Sequence, residues 1–368
     1  MKNGIRLSAL GGIVVAGALT LSACGSDNNT DSDTPAANSA NCVKATVNAA
    51  GSSAQKSAVE AWTNGYQAGC AGAVLNYDPS GSGAGIQTFS SGKAAFAGSD
   101  SALKPEEVTA VTTRCKGNAP LNIPMVVGPI GVVYNLPGVE GVQLSPKTLA
   151  SIFTGKVKTW DDPAIAAENE GAKLPKTAIK PVYRSDESGT TDNFSKYLNT
   201  TAKDVWTFEH AKKWPDAIAK AGQGAPKSDG VSTVVKQTEG AISYVELSYV
   251  TNLKLTPAKI QNGNGEYVAV SAEAASKTVS NPEITGTGND LALSIDYATK
   301  TAGAYPIVLV TYEVACSKGL EGDEGAFVKS FLTYTSSSAG QGELAEAGYA
   351  PLPADLLTKV QASVASLS

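Results

Sequence analysis

The chain has 368 residues, with 29 Lys and Arg against 34 Asp and Glu, one histidine and a net charge of −5. The lack of a basic surplus argues against a nucleic-acid partner, and an anionic ligand has to be held by local geometry because the overall charge does not recruit it.

Lys2 and Arg6 precede an apolar run from Leu7 to Leu21 that ends in Leu21-Ser22-Ala23-Cys24. A positive start, an apolar core and small residues at a cleavage point describe a secretory leader. The core is too short to span a bilayer comfortably. The four residues before Gly25 resemble a bacterial lipobox, which implies cleavage before Cys24 and a diacylglycerol thioether on its sulfur. The alternative is an ordinary leader in which Cys24 is incidental. Residues 1–23 are therefore expected to be a signal peptide, with the protein outside the cytoplasm and anchored to the cell membrane through Cys24. Residues 24–41 are polar and aperiodic, the composition of a flexible tether. Loss of Lys2 and Arg6 with the leader takes the net charge from −5 to −7.

Four cysteines remain, Cys42, Cys70, Cys115 and Cys316, an even number that suggests two disulfides in an exported chain. Three pairings are open. Cys42 with Cys70 is favoured because each stands just before an expected strand, 43–49 and 73–77, and parallel neighbours start at one edge. Cys115 with Cys316 follows by elimination. A metal site is the competing use of these cysteines, and the lack of CxxC spacing and the single histidine argue against it.

Strand-like 43–49 leads to a helix over 57–66, with Ala58, Ala61, Trp62 and Tyr66 at helical spacing. A strand at 73–77, a short helix opening at 86–89 and a small-residue strand at 94–98 follow. That alternation predicts an α/β fold with mixed, mostly parallel sheets flanked by helices. Two long apolar stretches, 125–135 and 305–315, are interrupted by Gly or Pro and read as strands that bend. Two such strands, far apart in sequence, suit a two-domain protein with a two-strand hinge. The expected division is 42–130 plus 305–368 for one domain and 131–304 for the other. Residues 261–267 read as a polar turn and 336–342 as a loop or helix break.

Three segments suit an anion, because strand ends and helix starts present free N–H groups. Ala50-Gly51-Ser52-Ser53-Ala54-Gln55 follows the first strand; alone it is an ordinary helix cap. Ser80-Gly81-Ser82-Gly83-Ala84-Gly85-Ile86 reads as a glycine-rich loop open to close ligand approach, with Asp100 ending the strand after it. A dinucleotide fingerprint is the competing idea, but Ile86 stands where its third glycine belongs, and the chain is exported. Arg184-Ser185-Asp186-Glu187-Ser188-Gly189-Thr190-Thr191 runs from a strand end into a helix carrying Phe194, Tyr197 and Leu198. A guanidinium offers planar, paired donors to an oxyanion, and Asp186 can brace it. Alone this is a surface ion pair beside a capped helix.

Together the three segments hold many neutral donors, one arginine and one spare acid. Monohydrogen phosphate has an O–H for a carboxylate to accept, whereas sulfate has none. An unpaired buried charge costs about 1–3 kcal/mol or more, enough to discriminate.

These residues resemble the PstS-type phosphate-binding proteins of bacterial ABC importers over nearly the whole mature chain. The resemblance rests on AGSSAQ (50–55), GSGAGI (81–86), FAGSD (96–100), IFTGKVKTWDDPAI (152–165), RSDESGTT (184–191) and YPI (305–307). It implies a two-domain, type II periplasmic-binding-protein-like fold that closes on inorganic phosphate and delivers it to permease subunits, with no cofactor, no metal and a monomeric body. Position by position it implies phosphate contacts from Ser53, Ala54, Ser82, Asp100, Arg184, Ser188, Gly189 and Thr190, with Asp186 pairing Arg184 behind them. The Trp160-Asp161-Asp162-Pro163 segment is expected to be structural. Two positions depart from the family pattern: Ser53-Ala54 stands where Thr-Phe is frequent, and Glu187 where glycine is usual. A carboxylate at 187 has to point away from the ligand.

Three other readings compete. A secreted phosphatase with a serine nucleophile needs a base or a metal, and His210 is distant in sequence from all three segments, more in keeping with a surface or structural residue. A binding protein for sulfate, molybdate or arsenate shares the donor inventory, and arsenate matches phosphate in charge and protonation. A sensor or adhesin that holds phosphate without delivering it has the same site.

Overall fold

The computed structural model describes residues 42–368; the leader, the tether and Cys24 lie outside the described residues. The chain runs through β1 (Thr46–Gly51), α1 (Lys56–Gly69), β2 (Val74–Asp78), α2 (Ser82–Ser90), β3 (Ala97–Ser99) and α3 (Pro105–Arg114) into the long β4 (Pro120–Tyr134). There follow β5 (Gln143–Leu144), α4 (Pro146–Phe153), α5 (Pro163–Ala166), β6 (Lys180–Arg184), α6 (Gly189–Thr201), β7 (Gln223–Ala225), α7 (Lys227–Gln237), β8 (Ala241–Glu246) and α8 (Leu247–Leu253). Short pieces come next: β9 (Thr256–Pro257), β10 (Lys259–Gln261), β11 (Tyr267–Val268), α9 (Ala272–Thr278), β12 (Glu283–Ile284) and β13 (Leu293–Ser294). The chain then returns along β14 (Val308–Cys316) and ends in α10 (Asp323–Thr335), α11 (Ser338–Glu346) and α12 (Ala354–Ala365).

One hydrogen-bonded sheet has the strand order β2-β1-β3-β14-β4-β8-β6-β7, with β9 also paired to β4. At one end β1 is parallel to β2 and β3; at the other β6 is parallel to β7 and β8. The antiparallel joins lie in the middle, where β14 pairs with β3 and β4, and β4 with β8. β4 serves both ends: Pro120–Pro129 lies against β14, and Ile130–Tyr134 against β8. Its partner register slips between Thr311 and Tyr312, opposite Val126 and Pro124. Proline cannot donate to the ladder, so a bulge there is the local solution. The sequence pattern of two bending strands thus corresponds to a single antiparallel pair threading the molecule.

Two main cores flank this pair. One gathers Trp62, Phe89, Phe96, Phe327 and Phe331 around β1, β3 and β14. α1 contributes the buried stripe Ala58, Val59, Trp62 and Tyr66, and Tyr66 meets Phe331 edge-on at 5.5 Å. The other gathers Phe153, Trp160, Phe194, Tyr197, Trp206 and Tyr244, and a smaller cluster of valines packs α7 on β8. The cores do not divide cleanly at the crossing strands. Ala275, Val279 and Leu291 join the first, and Tyr305, Ile307 and Leu309 join the second.

Cys42 is bonded to Cys70 and Cys115 to Cys316, each pair with Cα atoms 5.3 Å apart. The first bond stands at the starts of β1 and β2, which are in register from Thr46 and Val74. Trp160 is buried and donates to the Gly240 carbonyl at 3.1 Å, while Asp162 caps α5 by accepting from the Ala164 N–H; both serve the fold. Several boundaries differ from the sequence expectation, β3 beginning at Ala97 rather than Ala94 and β4 at Pro120 rather than Met125 among them. β1 begins at Thr46, α2 begins at Ser82 rather than Ile86, and the break after α10 is confined to Ser336-Ser337. No helix among the described residues is long and apolar enough to cross a membrane.

Candidate binding site

Five chain segments converge where the two ends of the sheet meet: the turn after β1, the start of α2, the end of β3, the turn from β6 into α6, and the start of α7. Ser52, Ser53, Ser82, Asp100, Arg184, Ser188, Thr190 and Ser228 are all buried there. Such convergence of strand ends and helix starts is where α/β sheets hold ligands.

The glycine-rich segment is not a loop. Ser82, Gly83, Ala84 and Gly85 form the first turn of α2. A Cβ on Gly85 would stand 2.3 Å from the Gly51 Cα, so this glycine lets α2 press on β1 and does not admit a ligand. The close approach inferred from the glycines is between two pieces of backbone. Ser82 Oγ accepts from the Asp100 and Gly189 N–H groups, each at 3.2 Å. With both lone pairs engaged, its own proton is free to donate.

Asp100 holds its place through hydroxyls. Thr311 donates to Oδ1 at 2.9 Å and Thr190 to Oδ2 at 3.3 Å. Burial pushes its pKa up; hydrogen bonds from Ser52, Thr311 and Thr190 and the Arg184 charge oppose that shift without cancelling it. The result is a carboxylate more basic than usual and suited to accept a proton.

Arg184, at the end of β6, is 2 % exposed. Its Nε and Nη2 donate to Asp186 at 2.8 and 2.5 Å. Asp186 also accepts from the Lys227 N–H at 2.8 Å. Burial raises the Asp186 pKa, but the Arg184 bonds and charge and the Lys227 N–H together hold it below the usual carboxylate range. The brace stays ionised, and Nη1 faces Ser228 Oγ at 3.4 Å. Ser188 caps α6 by accepting from the Thr191 N–H at 3.2 Å. A Cβ on Gly189 would lie 2.6 Å from the Asp100 Cβ and 2.7 Å from Ser82 Oγ, so only glycine fits between the two ends of the sheet here.

The eight residues named from the sequence lie in this one region, with Asp186 against Arg184. Ser53 Oγ meets Ser228 Oγ at 2.9 Å. The Ala54 N–H donates to Ser52 Oγ at 3.0 Å, so a ligand there competes with that bond. Glu187 is exposed, and its carbonyl accepts from the Gly83 N–H at 3.1 Å; its side chain stands outside the cluster. His210 bonds Asp192 at 2.7 Å, and the other Asp192 oxygen accepts from Ser101 at 2.7 Å, placing the histidine in a structural bridge. Thr311 and Ser228 were not foreseen. Thr311 lies inside an apolar strand stretch, and Ser228 stands in GQGAPKSDG (222–230), whose glycines and serine were the available signal. No group of three or more His, Cys, Asp or Glu able to hold a metal occurs among the described residues.

A helix-flanked sheet with an anion-suited site at the junction of its two ends defines a solute-binding receptor. In keeping with that class, a family model described as a PBP superfamily domain matches residues 36–339. The phosphate-binding protein PstS3 of Mycobacterium bovis is 40% identical over 99% of each chain, and the phosphate-binding protein PstS 3 of Mycobacterium leprae is 42% identical over 93% of each. The solved phosphate-binding protein from Stenotrophomonas maltophilia shares the fold with a TM-score of 0.69 at 22% identity, over 86% of this chain and 93% of that one. The chain belongs to the PstS phosphate-binding proteins.

Proposed function

We propose that this protein is an extracytoplasmic receptor that captures inorganic phosphate and passes it to the permease of an ABC importer. It binds and does not catalyse, as its membership of the phosphate-binding family implies; the site pairs hydroxyls, N–H groups and one arginine with a buried carboxylate. The ligands are Ser53, Ala54, Ser82, Asp100, Arg184, Ser188, Gly189 and Thr190. Residues 42–130 with 305–368 act as one domain and 131–304 as the other, closing on phosphate by bending β4 and β14. The protein works as a monomer, tethered by a lipid on Cys24 through residues 24–41.

The observation that carries this reading is Asp100. A basic, buried carboxylate among hydroxyl donors suits an oxyanion that still bears a proton. Titration calorimetry of the purified protein tests it. Phosphate is expected to bind at least a hundredfold more tightly than sulfate, about 3 kcal/mol. Equal or tighter sulfate binding overturns the reading in favour of a general oxyanion receptor.

A further inference from the structure

We infer that Ser228 is a ninth residue of the phosphate site, positioning Ser53 and Arg184 against each other across the junction. The inference rests on the phosphate-receptor reading and extends it to the start of α7, a segment outside those on which the sequence resemblance rests.

Ser228 is 1 % exposed and opens an eleven-residue helix. Its N–H donates to Ser53 Oγ at 3.1 Å, and its own Oγ lies 2.9 Å from the same atom. Arg184 Nη1 reaches Ser228 Oγ at 3.4 Å. The adjacent Lys227 N–H is bound to Asp186, the arginine's brace. One helix start therefore touches Ser53 from one end of the sheet and both members of the Arg184–Asp186 pair from the other.

Proton counting leaves one donor in this arrangement without a partner. Two hydroxyls, Ser53 and Ser228, carry two protons, and their mutual bond uses one. The Ser228 N–H and Arg184 Nη1 fill lone pairs on the two oxygens, so the second proton has no acceptor within the pair. A phosphate oxygen beside Arg184 is the acceptor that completes the set. Either hydroxyl can donate in the mutual bond; when Ser228 donates, the Ser53 proton is left for the ligand, while the Ser228 oxygen holds the free edge of the guanidinium.

Phosphate affinity of Ser228→Ala is expected to fall about tenfold, the loss of one hydrogen bond with a charged partner, with a modestly lower melting temperature of the ligand-free protein because the buried hydroxyl bonds Ser53 and Arg184. Ser228→Thr and Ser228→Val have the same shape and differ by the hydroxyl, so Thr is expected to bind about tenfold more tightly than Val even if Ala perturbs folding. Ser53→Ala with Ser228→Ala is expected to cost little more than the worse single change, because both remove the same bond. If the unaltered protein binds phosphate while the Ala variant stays within about twofold and Thr equals Val, the role of Ser228 is overturned alone. If the unaltered protein binds no phosphate, the receptor reading falls and this one with it.

Discussion

The two sides of the site solve different problems with different chemistry. On the β1–β3 side stand Ser53, Ser82 and Asp100, with no cation among them. Deeper on that side lies a second buried acid, Glu313 of β14, opposite Gly98 of β3. On the β6–β8 side stand Arg184, its Asp186 brace and two helix starts, α6 and α7. The first side is acidic and carries the group that can demand a proton from the ligand. The second carries the positive charge and the N–H groups. On the proposed reading, one side selects which anion stays and the other sets how tightly any anion is held.

The sharpest way to break this division is Arg184→Ala. It removes the cation and leaves Asp186 without its partner, so phosphate affinity is expected to fall about a thousandfold, and sulfate affinity with it. A calorimetric titration showing loss of selectivity with affinity retained would reverse the assignment of roles. Asp100→Asn sharpens the other half. The amide offers an N–H to the ligand, so the phosphate-to-sulfate affinity ratio is expected to drop about tenfold or more, with sulfate binding equal or improved.

The smallest expected effect concerns the acid behind the selecting side. Burial pushes the Glu313 carboxyl up to about 8, the Gln55 side chain opposing and the Asp100 charge adding to the shift. In the unfolded chain a glutamate ionises at about 4.3. Between those values the folded protein holds a proton that the unfolded chain has lost. This contribution is therefore fully present at low pH and is lost as pH rises through about 8. Calorimetry is expected to show the wild type melting about 2–4 °C below Glu313→Gln at pH 9, and close to it at pH 5. Parallel pH profiles for the two proteins would show that Glu313 does not titrate in this window.

Much of the layout was legible in the sequence because it is written locally. A strand end followed by a hydroxyl and a helix start marks Ser53, Arg184 and Ser188. Cysteines placed before neighbouring parallel strands pointed to Cys42 and Cys70. What was hidden is contact across the sequence. The glycines of 81–85 looked like a ligand loop because nothing nearby shows that β1 lies against them. Ser228 is 175 residues from Ser53 and sits in a stretch that alone reads as an ordinary helix start. Glu187 resisted a reading until its place was known: the backbone links it to α2, while its carboxylate lies outside.

The Cys115–Cys316 bond has a mechanical consequence. Cys316 ends β14, opposite Pro120 at the start of β4, and the bond joins residues 201 apart in the chain. It rivets one end of the strand pair that threads the molecule. Under the proposed closure the pair would act as a cantilever fixed at the rivet, with the slipped register at Thr311–Tyr312 as the place to bend. Under the same proposal, reduction of that bond would free the anchored end, and bending would no longer be directed to the stretch where Thr311 holds Asp100.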